Sequence, residues 1–327
     1  MAHEITIAEA GRVLRRRTEL VQAGWSEREL TRAEEDRRLI RVRRSWFVES
    51  EVWGDLWPEG RHLLDVVAAA EEAVGGYVFS YASAAAVWGL PLYRWRFDRV
   101  HVTGLRGLRA SGSSRLIRHE DRLDENDVEL VGGLRCTSLE RTVFDLVRAA
   151  SLEAGVSAAD AALGRVAVTG RVQADDLADG WRERMRERAV QAGAVRGVKQ
   201  LRWVIGFADG RAELPGESVS RLQLYRLGFA TPRLQIPVSG PGTPEYWIDL
   251  GLDDVDCWME FDGEGKYRDE ALRSGRSLED VLLAEKRRED TVRGLTGRRF
   301  VRMESRHLRS PSEFGRRLAS FGIHSLR

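Results

Sequence analysis

Lysine is scarce in this chain: of its 52 lysines and arginines, only Lys199, Lys266 and Lys286 are lysines. Its two cysteines, Cys136 and Cys257, lie far apart with neither metal-finger nor redox spacing, which fits a reducing cytoplasm. No apolar run approaches the roughly 20 residues that span a bilayer. The opening Met-Ala-His-Glu is not a secretory signal, so a cytoplasmic protein without a membrane partner is expected. The histidines (His3, His62, His101, His119, His307 and His324) are scattered and give a zinc site little support. Internal repeats and low-complexity tracts are missing too.

What is present fits two or three folded domains: 327 residues, 43% hydrophobic and 31% charged. The net charge of +1 hides segregation. Residues 249–270 hold nine acids against Lys266 and Arg268, whereas residues 285–327 hold twelve lysines or arginines against five acids. An acidic pocket beside a basic skirt would suit a metal site that must hold a polyanion; two unrelated solvated faces would give the same count.

The first 54 residues read as a small DNA-binding unit. Thr6 to Val21 is mostly helical, Gly24-Trp25 breaks the chain, and Ser26-Glu-Arg-Glu29 is a capping box. The helix it opens runs to about Arg38, buries Leu30 and Ala33, and presents Arg28 and Arg32 elsewhere. Leu39 to Val48 alternates as a strand with room for a hairpin carrying Arg41, Arg43 and Arg44. Helix, turn, arginine-bearing helix and basic ribbon predict a winged helix-turn-helix whose arginines contact DNA.

Residues 55–207 form a middle region. It contains helices at Arg61–Val74 and after Ser80, short strands at Arg99–Thr103 and Arg115–His119, and a Gly132-Gly133 hairpin. A Thr137-Ser-Leu-Glu140 capping box opens the helix Arg141–Ala150, and residues 151–205 are mainly helical. No catalytic spacing is visible there. Ala208 to Gly216, polar and punctuated by Gly and Pro, reads as a linker. A helix from Glu217, a meander of strands at Gln235–Val238, Tyr246–Leu250 and Cys257–Asp262, a long helix from Leu278, a strand Arg299–Glu304 and a terminal helix complete residues 208–327. The fold class expected is multidomain α/β.

On the last two strands of that meander, Asp249 can lie near Glu260 if they pair as a hairpin. Two carboxylates there are hard oxygen ligands for Mg2+ or Mn2+, ions able to activate water and neutralise a phosphate. A nearby ammonium would stabilise the transition state. Each residue also has a plainer reading: Glu217 as a favoured first-turn acid, Asp262-Gly263 as a turn, Asp253, Asp254 and Asp256 as a solvated loop.

Glu217-Ser-Val-Ser-Arg221 on a helix, Ile-Asp249 on a strand and Glu260-Phe-Asp262-Gly263 on the next resemble the PD-(D/E)XK restriction-endonuclease-like fold, closest in form to its very-short-patch-repair-like branch. The resemblance covers about residues 208–310, including Lys286-Arg-Arg-Glu-Asp290. It implies Asp249 and Glu260 as metal ligands, with Glu217 completing or supporting the site. Where many members place lysine two residues after the second acid, this chain has Asp262, so Lys266 or Lys286 would have to supply the positive charge. Residues 5–150 resemble proteins with an AbiE-type antitoxin-like N-terminus, through Arg41-Val-Arg-Arg-Ser-Trp-Phe-Val48, Ser80 to Leu90 and Cys136 to Asp145. That likeness implies operator DNA as a partner, with a toxin or defence-system partner besides.

The resulting expectation is a Mg2+-dependent DNA endonuclease with Glu217, Asp249, Glu260, Asp262 and Lys266 at its centre. Lys286, Arg287, Arg288, Arg293, Arg298 and Arg299 would hold the DNA backbone. The alternative is an antitoxin-like repressor that keeps the nuclease fold without turnover.

Overall fold

The computed structural model describes residues 4–73, 77–104, 115–242, 244–263 and 277–325. The chain is mixed α/β, with four sheets among the described residues, and divides into two compact units, Met1–Ala149 and Ala150–Arg327. No described helix is long and apolar enough to cross a membrane.

In the first unit, Thr6 and Ser26 each close a capping box, with Glu9 and Glu29 respectively. The single helix expected over Thr6–Val21 is instead two, Ile7–Val13 and Arg17–Gln22. Buried Leu14 leaves the helix in an extended conformation, and Arg15–Arg16 becomes a strand paired with Phe47 and Trp46. The strand Trp46–Glu49 therefore lies between Arg15–Arg16 and Leu39–Arg43 in a three-stranded sheet. Leu30 and Ala33 of the helix Glu27–Glu35 bury against Leu20, Leu39 and Phe47, as their spacing predicts.

A second, five-stranded sheet follows. Its central strand Val78–Phe79 is antiparallel to Val100–Thr103 and parallel to Leu134–Thr137, with Leu116–His119 and Val128–Val131 at the edges. The hairpin tip is Gly132-Gly133, at φ +55° and +85°, a left-handed pair that glycine adopts without a Cβ penalty. The next helix, Leu139–Ala149, is not capped as expected. Ser138 Oγ accepts the Arg141 amide, while Thr137 Oγ1 bonds Thr142 Oγ1 inside the core.

Three of the scattered histidines meet here. His62 Nε2 lies 2.9 Å from Ser83 Oγ, which also accepts the His101 amide, and His101 Nδ1 lies 3.0 Å from His119 Nε2. Burial lowers His62 to about 3 and His101 to about 4. The unfolded chain takes up protons at these rings near pH 6.5 while the folded one does not, so stability falls as pH drops from there toward 4. A melting series should show that loss, and it should shrink in His101→Gln.

In the second unit the helices Leu152–Ala167, Asp175–Gln191 and Val198–Phe207 precede the helix Pro215–Arg226. Ala208–Gly216, expected as a linker, is packed rather than free. The Asp209 amide donates to Asp160 Oδ1, and Gly210 meets Gly164 backbone to backbone. A Cβ on Gly210 would stand 2.7 Å from the Gly164 nitrogen. Gly210→Ala should therefore cost about 1–3 kcal/mol in a denaturant titration, since neither backbone can yield cheaply.

The four-stranded sheet runs Arg233–Val238, Tyr246–Leu252, Cys257–Asp262, Arg299–Glu304. The first two pairings are antiparallel and the last is parallel, reached through the crossover helix Leu278–Thr296. Alternation sends Met259 and Phe261 to one face of their strand and Trp258, Glu260 and Asp262 to the other. The helix Pro215–Arg226 lies on the Phe261 side, with Gly216 directly over the ring. Val292 of the crossover helix packs with Trp258 and Phe300.

Candidate functional site

Asp249 and Glu260 sit where the strand Tyr246–Leu252 parts from Cys257–Asp262. The strand pairing runs from Leu252–Cys257 to Leu250–Met259, and beyond it the Asp249 carboxylate accepts from the facing strand. Its Oδ2 receives the Phe261 amide at 2.9 Å. This bond fixes the carboxylate next to Glu260, close enough for the two negative charges to oppose each other. The hairpin expectation that would bring these acids near one another matches the strand pairing.

Glu260 is 4% exposed, and burial pushes its carboxyl above the usual range. The Arg288 guanidinium, which bonds Glu260 Oε2, pulls it back down, while Asp249 and Glu285 push it up again. Arg302 is the second hub: its guanidinium lies 3.4 Å from Asp262, 2.8 Å from Glu285, 2.9 Å from Glu289 and 4.0 Å from Glu260. Glu260, Asp262, Glu285 and Glu289 thus engage Arg288 and Arg302, with Arg293 on Glu289 and Asp249 beside Glu260. All the acidic donors are hard oxygens.

Among the described residues no three His, Cys, Asp or Glu side chains form a ready metal cage. Mg2+ rarely uses one, being held by one or two carboxylates together with water and substrate phosphate. Asp249 and Glu260 are the two carboxylates that the strand pairing brings side by side. Both guanidinium contacts to Glu260 fall on Oε2.

Other expected residues are placed differently. Glu217 is buried, and its Oε2 accepts the Glu213 amide at 2.9 Å and the Gln235 side-chain amide at 3.4 Å. It therefore braces the start of its helix against the first strand, where Gln235 adopts φ +47°. Asp262 is held by Arg302. Lys266 lies outside the described residues. Lys286 and Arg287 are exposed on the crossover helix, beside the inward-turned Glu285 and Arg288.

Most arginines expected to hold a DNA backbone here are committed within the protein. Arg288 bonds Glu260 and Glu285, and Arg293 pairs with Glu289. Arg298 pairs with Asp253 and Asp256, and Arg299 donates to the Val255 and Gly322 carbonyls. The acidic turn is consequently a braced corner rather than a solvated loop. Bonds from Arg233, with Arg298 assisting, hold Asp253 down at about 2.

Glu285, Glu289 and Arg302 were not anticipated as site residues. Their signal lies in the spacing Glu285-x-x-Arg288-Glu289, which puts all three on one helical face. Arg302 enters through the parallel register that pairs it with Glu260.

In the first unit, Arg28, Arg32 and Arg44 are exposed. Of the acids near them, Glu29 serves its capping box, Glu27 pairs with Arg17 and Glu34 with Arg41, while Asp36 lies 3.7 Å from Arg32. Arg43 does not face outward as expected. It is 6% exposed and paired at 2.8 Å with both Asp65 and Glu72, because the hairpin packs on the helix Pro58–Glu72.

No protein-family model matches the chain. Two curated relatives, uncharacterized proteins from two strains of Mycobacterium tuberculosis, are each 36% identical to it over 67 residues. That stretch is 20% of this chain, and the chain spans 25% of the length of each relative.

Proposed function

We propose that the C-terminal sheet and its helices form a PD-(D/E)XK-like endonuclease domain, and that the first 54 residues are a winged helix that binds DNA. One observation carries the hydrolase reading. A helix, a three-stranded meander, a crossover helix and a parallel fourth strand bring Asp249 and Glu260 together at the end of a strand pair, beside the Arg288 and Arg302 ion pairs. The DNA-binding reading rests on the order helix, strand, two helices, hairpin, with Arg28, Arg32, Arg41 and Arg44 on the second helix pair and its ribbon.

Mg2+, or Mn2+ in its place, would neutralise charge on the scissile phosphate and activate the attacking water. The chain's own residues prepare the place. The Phe261 amide orients Asp249, Arg288 holds one oxygen of Glu260, and Arg302 restrains Asp262 against Glu285 and Glu289. Glu217 supports the site from the neighbouring helix by locking Gln235.

The second reading, an antitoxin-like repressor whose nuclease fold has no turnover, is favoured by a specific feature: the Glu260 carboxylate is already paired with Arg288 and lies 4.0 Å from Arg302, and Asp262 stands where many members have lysine. Nicking of supercoiled plasmid separates the two. The hydrolase reading predicts cleavage in Mg2+ that chelator abolishes; intact plasmid at high protein concentration in both Mg2+ and Mn2+ leaves the repressor.

A further inference from the structure

Lys199 is the one lysine that precedes the acidic stretch in sequence, and the helix that bears it, Val198–Phe207, contains no aspartate or glutamate. Helical spacing aligns Lys199, Arg202, Trp203 and Gly206 along one stripe, with Phe207 beside it. Lys199, Arg202 and Gly206 are exposed, and a Cβ on Gly206 would meet nothing within 4 Å, so the surface along the stripe is open.

Three rings gather on this stripe. Trp203 and Phe207 stack with centroids 4.7 Å apart and planes at 16°. Tyr225, from the end of the helix Pro215–Arg226, stands across both, 5.3 Å from Trp203 at 58° and 5.8 Å from Phe207 at 67°. Tyr225 is 56% exposed, an unusual position for a ring in an aromatic cluster. The Arg221 guanidinium lies 4.6 Å over Phe207 and donates to its carbonyl, which fixes the inner ring of the group.

We infer that this shelf is a stacking platform for single-stranded nucleic acid, with bases lying against Trp203 and Tyr225 and the sugar–phosphate backbone tracking Lys199 and Arg202. Aromatic faces accept any base, and cations without acidic neighbours on their helix attract the polyanion; together they define sequence-tolerant single-strand binding. A protein partner would use the rings but has no need of a helix cleared of negative charge. The platform extends the hydrolase reading without requiring it, since binding at the rings needs neither the acids nor an ion.

The test uses the full chain and a fluorescein-labelled 12-mer of thymidylate in chelator, so that no cleavage occurs. Trp203→Ala and Tyr225→Ala should each weaken binding about tenfold. Lys199→Ala with Arg202→Ala should weaken it at low salt and flatten its dependence on salt. The chelator separates this site from the hydrolase site, because binding at the rings needs no ion. Circular dichroism melting checks that each variant is folded, and Tyr225→Phe, which keeps the ring, should restore binding. Failure of the parent to bind, or equal binding by the folded Trp203→Ala and Tyr225→Ala variants, would overturn the platform and leave the rings to a protein contact.

Discussion

Asp249→Asn and Glu260→Gln are each expected to lower Mg2+-dependent nicking by about a thousandfold or more, equivalent to about 4 kcal/mol of transition-state stabilisation. These substitutions are chosen for what they keep. Asparagine still offers an oxygen to the Phe261 amide, so the splayed strand end retains its bond. In Glu260→Gln, Arg288 retains Glu285 as its charge partner. The fold should therefore survive while the charge needed for an ion is lost. Asp249→Ala also removes the acceptor for Phe261, and should add a stability loss to the loss of cleavage. Undiminished nicking by both charge-neutral variants would mean the cleavage comes from elsewhere.

The second large effect is on stability. Arg221 is 3% exposed and donates to Asp160 Oδ2 at 2.7 Å and to the Phe207 carbonyl at 2.6 Å. Asp160 is 0% exposed, and burial is the main influence raising its carboxyl from the usual range. Arg221→Met would leave that carboxylate without its charge partner, at a cost of about 3–5 kcal/mol. Urea unfolding should show the midpoint falling accordingly. The double variant Arg221→Met with Asp160→Asn should recover part of it, because no charge is then left buried. A double variant no more stable than Arg221→Met would show that the guanidinium acts through packing and the Phe207 carbonyl instead.

The C-terminal sheet was largely legible. Strand alternation over Cys257–Asp262 and the long polar helix after Ser277 are local signals, and the elements found match them closely. The capping boxes at Ser26 and the Gly132-Gly133 hairpin were readable for the same reason: each is decided by residues within a few positions of one another. Partnership over long separations was not. Arg43 looked like a DNA contact because Asp65 and Glu72 reach it only through tertiary packing. Arg288 looked like a DNA-backbone contact for want of any local sign that Glu260 lies beside it.

The apparent linker failed differently. Ala208–Gly216 has the polarity and glycine content of a free segment, yet Gly210 is small so that it can press on Gly164. Composition alone does not separate a glycine that bends from one that makes room. The break at Leu14 was hidden as well, since a helical pattern on either side masks two residues recruited by a strand some thirty positions later.

Titration calorimetry with Mn2+ tests the central claim most directly, because it asks whether the acid cluster takes up an ion before any question of cleavage. The intact protein should bind Mn2+ with saturable heat, Asp249→Asn should lose that heat, and Lys199→Ala should leave it unchanged. No uptake by the parent, or equal uptake by Asp249→Asn, would contradict the account.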